Sequence, residues 1–181
     1  GSLLLNLDSE DDGEIFIGCA GGIDVTAWFD YEYEKSPENH TGMHIYVSGL
    51  KGGHSGDEIE KGLGNSIKTL NRFLWEIADQ LDIRIHKFEG GNLRNAIPRE
   101  ANAIISLPSN SIEELKNFLN SFEKDFKKEF PVTEPEVKFS LEAIPLPNEV
   151  LDEDTQANLL NALYACPHGV IAWSQTLENM V

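Results

Sequence analysis

Along the middle of this chain the apolar residues switch between a period of two and a period near 3.6, and each switch marks an element. His44-Ile-Tyr-Val47 is a β-branched and aromatic run that predicts a strand. Ile59, Leu63, Ile67, Leu70, Leu74, Ile77 and Leu81 then recur at helical spacing and predict one long amphipathic helix. Ser55 and Glu58, just ahead of that run, have the capping-box pattern that opens such a helix. Ile83 to Phe88 alternates as a strand with one wet face, Gly90 to Pro98 is a loop, and Ala101 to Leu107 is a further strand. Ser111 opens a second helix, with Glu114 completing another capping box and Ile112, Leu115, Leu119, Phe122 and Phe126 as its apolar face. Val137 to Ile144 is a strand, closed off by Pro145 and Pro147.

That order predicts an α+β fold, the ferredoxin-like βαββαβ sandwich. Right-handed crossovers make it a four-stranded antiparallel sheet with both helices on one face. Ile83 to Phe88 then lies at an edge with unpaired N–H and C=O groups. Together with the helix bearing Arg72 and Glu76, that edge is expected to associate with another chain. Extra elements flank the unit. Leu3 to Leu7 reads as a strand buried on both faces, running into the acidic turn Asp8 to Asp12. Gly18, Gly21 and Gly22 form a flexible crossing, Val25 to Tyr33 reads as a half-exposed strand, and Lys35 to Gly42 as a polar loop. Asp152 to Ala165 predicts a C-terminal helix stopped by Pro167 and Gly169, with His168 to Trp173 as one more strand. Gly1-Ser2 reads as a protease-cleavage scar. A strand buried on both faces needs a larger sheet than this chain offers, so a larger parent protein is expected.

Charge narrows the partners. The 181 residues carry 14 Lys and Arg against 31 Asp and Glu, a net charge of −17. Such an excess repels phosphate backbones and anionic membrane surfaces, which argues against nucleic acid and membrane as partners. No signal-peptide pattern is present, and the expected compartment is the cytoplasm. Cys19 and Cys166 have neither metal-type spacing nor a disulfide framework, and no chemistry is assigned to either.

The candidate chemistry gathers at Gly49-Leu-Lys-Gly-Gly-His-Ser-Gly56. A glycine-rich turn between strand and helix would hold His54 beside free backbone N–H groups at a positive helix end, ready to meet negative charge. The competing reading is a glycine-rich turn with an incidental surface histidine. Topology adds weight to the first. The first and second strands of the unit run parallel, so His54 and Asn95, in the loop after the second strand, share one rim. Other patterns carry less. His54, Ser55 and Asp57 are too close in sequence for a hydrolase triad. Gly62-Leu-Gly64 falls inside the predicted helix, His40 and His44 read as surface histidines, and Asp8 alone cannot hold a metal.

Four segments in order, Leu5-Asn-Leu-Asp-Ser-Glu10, Gly18-Cys-Ala-Gly-Gly-Ile23, Gly49 to Gly56 and Asn92-Leu-Arg-Asn-Ala-Ile-Pro98, resemble the aminoacyl-histidine dipeptidases. These belong to the zinc metallopeptidase family that includes carboxypeptidase G and carnosinase. The resemblance implies a catalytic domain holding a pair of zinc ions, and a lid inserted into it that closes over a dipeptide substrate. It makes residues 1–22 the end of a catalytic-domain segment with its hinge, and residues 23–181 an incomplete lid. It implies that Asp8 ligates one zinc, that His54 is catalytic at the oxyanion, and that Asn95 binds substrate. The family's remaining zinc ligands and its glutamate base have no counterpart here, so the chain alone is expected to be inactive and to hold no tight zinc. The expected function is that of the lid of a cytoplasmic zinc dipeptidase cleaving Xaa-His dipeptides, paired into a homodimer through a lid edge. The alternative is a non-enzymatic ferredoxin-like module that binds a ligand or a protein.

Overall fold

The computed structural model describes residues 12–15, 21–178 and 181. In chain order the strands are β1 (Tyr33–Lys35), β2 (His40–Ser48), β3 (Gly53–His54), β4 (Arg84–Gly90), β5 (Ala96–Ile97), β6 (Ala101–Pro108), β7 (Lys138–Ile144) and β8 (Glu149–Leu151). The helices are α1 (Ser66–Leu81), α2 (Ile112–Glu129) and α3 (Glu153–Ala165). The main sheet has four strands in the order β4-β6-β2-β7, every neighbour antiparallel. This is the ferredoxin-like arrangement expected from the alternation of periods.

Strand alternation settles which face is dry. Met43, Ile45 and Val47 of β2 and Ala101, Ala103, Ile105 and Leu107 of β6 are buried beneath the helices. α1 contributes Leu70, Phe73, Leu74, Ile77 and Leu81, and α2 contributes Leu115, Leu119, Phe122 and Phe126. One contiguous core results. On the opposite face β2 carries His44 and Tyr46. Tyr46 O–H donates to His44 Nδ1 (2.6 Å), and His44 Nε2–H donates to Asn102 Oδ1 (2.9 Å) on β6.

Several local expectations are corrected. α1 starts at Ser66, capped by Asn65, whose side chain accepts from the N–H groups of Ile67 and Lys68. Ser55 and Glu58 cap no long helix, because Gly62, in the left-handed region at φ 64, ends a short 3-10 turn at Ile59–Lys61. Gly62-Leu-Gly64 therefore precedes the helix and does not lie inside it. Ser111 makes no side-chain cap to α2. Val25 to Glu32 is not a strand, with Val25 and Trp28 left exposed. Only Tyr33–Lys35 pairs, with β8, a strand the apolar pattern did not reveal. His168 to Trp173 forms no strand. His40 is no surface group either: its side chain is 5% exposed, 3.8 Å from Asp82, and its Nδ1 pairs with Ser106 Oγ. Leu3–Leu7 and Cys19 lie outside the described residues.

β4 is an edge strand, as its place in the fold requires, but its backbone is not left open. Gln156 of α3 accepts from Ile85 N–H (2.7 Å) and donates to Ile83 C=O (2.9 Å). Tyr33 O–H donates to His86 C=O, while His86 Nδ1–H donates to Glu149 C=O. Arg84 reaches Glu34 (2.6 Å) and Leu151 C=O (2.8 Å), fastening the β1–β8 pair alongside.

Candidate functional site

Past β2 the chain makes the glycine-rich turn and forms β3, which pairs with β5 in the loop after β4. Gly53 stands opposite Ile97 and His54 opposite Ala96. The next rung is made by Ser55 N–H donating to Asn95 C=O (3.0 Å). His54 and Asn95 thus come from segments about forty residues apart and lie one step from each other along the β3–β5 pairing, with Ala96 opposite His54 and the Asn95 backbone tied to the next residue, Ser55. Both residues are exposed.

His54 is held by its own backbone neighbours. The N–H groups of Gly56 and Asp57 both donate to its Nδ1 (3.1 Å each). Glu58 Oε2 accepts from His54 N–H (2.8 Å), and Glu58 N–H donates back to His54 C=O (3.2 Å). With Nδ1 accepting, the neutral ring carries its proton on Nε2. Nε2 has no hydrogen-bond partner among the described residues, and the side chain is 49% exposed. The ring is therefore held through Nδ1, with Nε2 left as a donor that no described group takes up. The neighbouring N–H groups are those of this tight turn and not of a helix end; the dipole of α1 begins at Ser66.

Glu58 is the residue that sequence reading placed in the wrong role. Its carboxylate locks the His54 turn, and its pKa is held below the usual carboxylate range first by the hydrogen bond from Lys61 and then by His54 N–H. The signal that could have found this was the glycine pair at Gly62 and Gly64, which separates Glu58 from the helix. Asp8 lies outside the described residues. Among the described residues, no group of three or more His, Cys, Asp and Glu side chains is placed to hold a metal ion.

A second concavity, of about 370 Å³, lies on the helix layer between Leu63, Lys68, Phe130, Tyr164 and His168. Its polar groups are already engaged within the fold. Lys68 Nζ donates to the C=O groups of Leu163, Tyr164 and Cys166 at the end of α3, and Asn65 Nδ2 donates to His168 Nδ1. It fastens α3 to α1 and shares no residue with the rim. No described helix is long and apolar enough to cross a membrane.

Comparison with known proteins supplies the context. The chain is 40% identical over 179 residues to the cytosol non-specific dipeptidase of Escherichia coli (strain K12), covering 99% of this chain and 37% of that protein. Its fold superposes on the aminoacylhistidine dipeptidase from Vibrio alginolyticus with a TM-score of 0.82 and 36% identity, over 84% of this chain and 31% of the other. The chain thus spans about a third of either relative. Residues 38–134, which carry the whole βαββα core and both lips of the rim, match the model of the peptidase dimerisation domain, and the chain belongs to that family.

Proposed function

We propose that this chain is the lid region of a dipeptidase and that His54 and Asn95 meet the substrate across its rim. The observation that carries the reading is the β3–β5 pairing, which brings the segments of His54 and Asn95 together at one rim with both residues exposed. An imidazole whose proton is on Nε2 donates a hydrogen bond. Placed against a scissile carbonyl, it stabilises the oxyanion that forms as water adds. The Asn95 amide both donates and accepts, which suits the backbone of a bound dipeptide.

The names of both relatives support dipeptides as the substrate class, and dipeptides ending in histidine are the finer proposal. The resemblance puts the bond-breaking chemistry, with its pair of zinc ions, in a catalytic domain of which residues 1–22 would be the end of one segment with its hinge, Asp8 among its ligands. The described residues alone do not make such a metal site. What this chain brings to the reaction is the hydrogen bonding of its rim. The name of the relative supports a cytoplasmic location, and the family supports pairing of two copies. Of the two sheet edges, β7 is the one that no described strand flanks.

The test is a dipeptidase assay of the intact parent on a panel of dipeptides, with and without a chelator. Hydrolysis that includes Xaa-His substrates and stops on chelation is expected. Failure to hydrolyse any dipeptide would overturn the reading and leave a ferredoxin-like binding module.

A further inference from the structure

We propose that Glu134 is a positioning residue that holds the His54 turn in register with β5, an assignment that rests on the role given to His54 above. Glu134 follows α2 in the turn that leads to β7, and it is completely buried. A carboxylate is costly to bury without partners, and those that Glu134 has among the described residues are backbone N–H groups. Both its oxygens are used on backbone amides of one distant segment. Lys51 N–H donates to Oε2 (2.8 Å) and Gly64 N–H donates to Oε1 (2.7 Å).

Those two amides bracket the stretch that carries His54. Lys51 lies just before β3, and Gly64 lies just before the Asn65 cap of α1. One carboxylate thus closes the base of the loop, and an apolar side chain in its place would orphan the buried Gly64 N–H and the part-buried Lys51 N–H. Lys51 Nζ adds a second tie, donating to Val132 C=O (3.2 Å). Gly64 fits its side of the clasp because a Cβ there would stand 2.3 Å from Leu50 Cδ2 and 3.1 Å from Glu134 Cγ. From this base the chain rises into Gly53 and His54, where β5 and the Glu58 carboxylate complete the alignment. Glu134 touches neither the rim nor a substrate, and it acts through the loop.

The test has one arm in this chain and one in the intact parent. In the unsubstituted chain, nuclear magnetic resonance should show scalar coupling across the hydrogen bonds from the Lys51 and Gly64 amide nitrogens to the Glu134 side-chain carboxyl carbon. Its absence overturns the clasp without any variant having to fold. In Glu134→Gln, the amides of Gly56 and Asp57 should lose hydrogen-exchange protection on the order of 10-fold or more, and His54 should lose its single Nε2–H tautomer. The β2 and β6 amides should keep their protection. An unchanged His54 ring with intact core protection overturns the proposal.

In the intact parent, Glu134→Gln should lower kcat by on the order of 10- to 100-fold, as misplacement of a reacting group does, with KM little changed. Combined with His54→Ala it should add little, because both changes remove the same donor. If His54→Ala lowers kcat and Glu134→Gln does not, the positioning role falls while the reading of the rim stands. If His54→Ala leaves kcat unchanged, the rim reading falls and takes the catalytic part of this proposal with it, while the arm in the isolated chain still decides the clasp.

Discussion

Two histidines flank the same strand and have opposite surroundings. His40 opens β2 with its side chain 5% exposed, held against Ser106 and 3.8 Å from Asp82. His54 lies beyond the other end of β2 with its side chain 49% exposed, its Nδ1 occupied by two backbone N–H groups and its Nε2 free of described partners. One ring completes the packing of the sheet end. The other is presented outward by a turn that uses four hydrogen bonds to fix it. Residue type does not separate them. What separates them is where the fold puts the ring: His40 is enclosed at the end of the sheet, whereas His54 is held by its backbone neighbours with half of its side chain left exposed.

The sharpest break of this comparison is catalytic. In the intact parent, His54→Ala should cost about 100-fold in kcat, as loss of an oxyanion donor does, with metal content unchanged. Near-normal turnover would return His54 to the status of a turn residue. Next, His40→Ala in this chain should lower stability by roughly 1–3 kcal/mol, because it opens a gap and strips Ser106 of its partner. Chemical denaturation measures this, and a loss below about 0.5 kcal/mol, ordinary for an exposed site, would make the two histidines alike. Asn95→Ala should raise KM by about 3- to 10-fold with little change in kcat, since it removes binding present in ground and transition states together. A fall in kcat alone would assign Asn95 to the oxyanion instead.

A smaller effect comes from acid. Burial depresses the basicity of His40; Asp82 opposes this and Arg84 adds to it. Below the ordinary histidine value near ~6.5 the unfolded chain therefore binds more protons than the folded one. The His40 contribution is complete above that pH and is lost as pH falls through the folded value. Denaturation at several pH values should show that His40→Gln flattens this part of the profile, and an unchanged slope would refute the burial argument. Smallest of all, His54→Ala should move the stability of this chain by no more than about 0.5 kcal/mol; a larger loss would mean that its ring packs as His40 does.

The amino-acid sequence by itself determined the sheet and both of its helices. Burial repeats with the period of the backbone, so Ile45 and Val47, Leu70 to Leu81, and Leu115 to Phe126 announce their own faces. It also brought His54 and Asn95 to one rim, because right-handed crossovers leave the first and second strands parallel. Tertiary structure decided the rest, where local signals agree with more than one outcome. Ser55 and Glu58 fit a helix cap equally well as a turn lock, and the Gly62–Gly64 break chose the lock. β1 and β8 are too short to show a period, and they exist because Arg84 and the edge of β4 give them partners. The long-range ties of Gln156 and Glu134 left no trace in the sequence pattern. Each is one polar residue in a polar stretch, and its partners are backbone amides and carbonyls whose identity no side-chain pattern encodes.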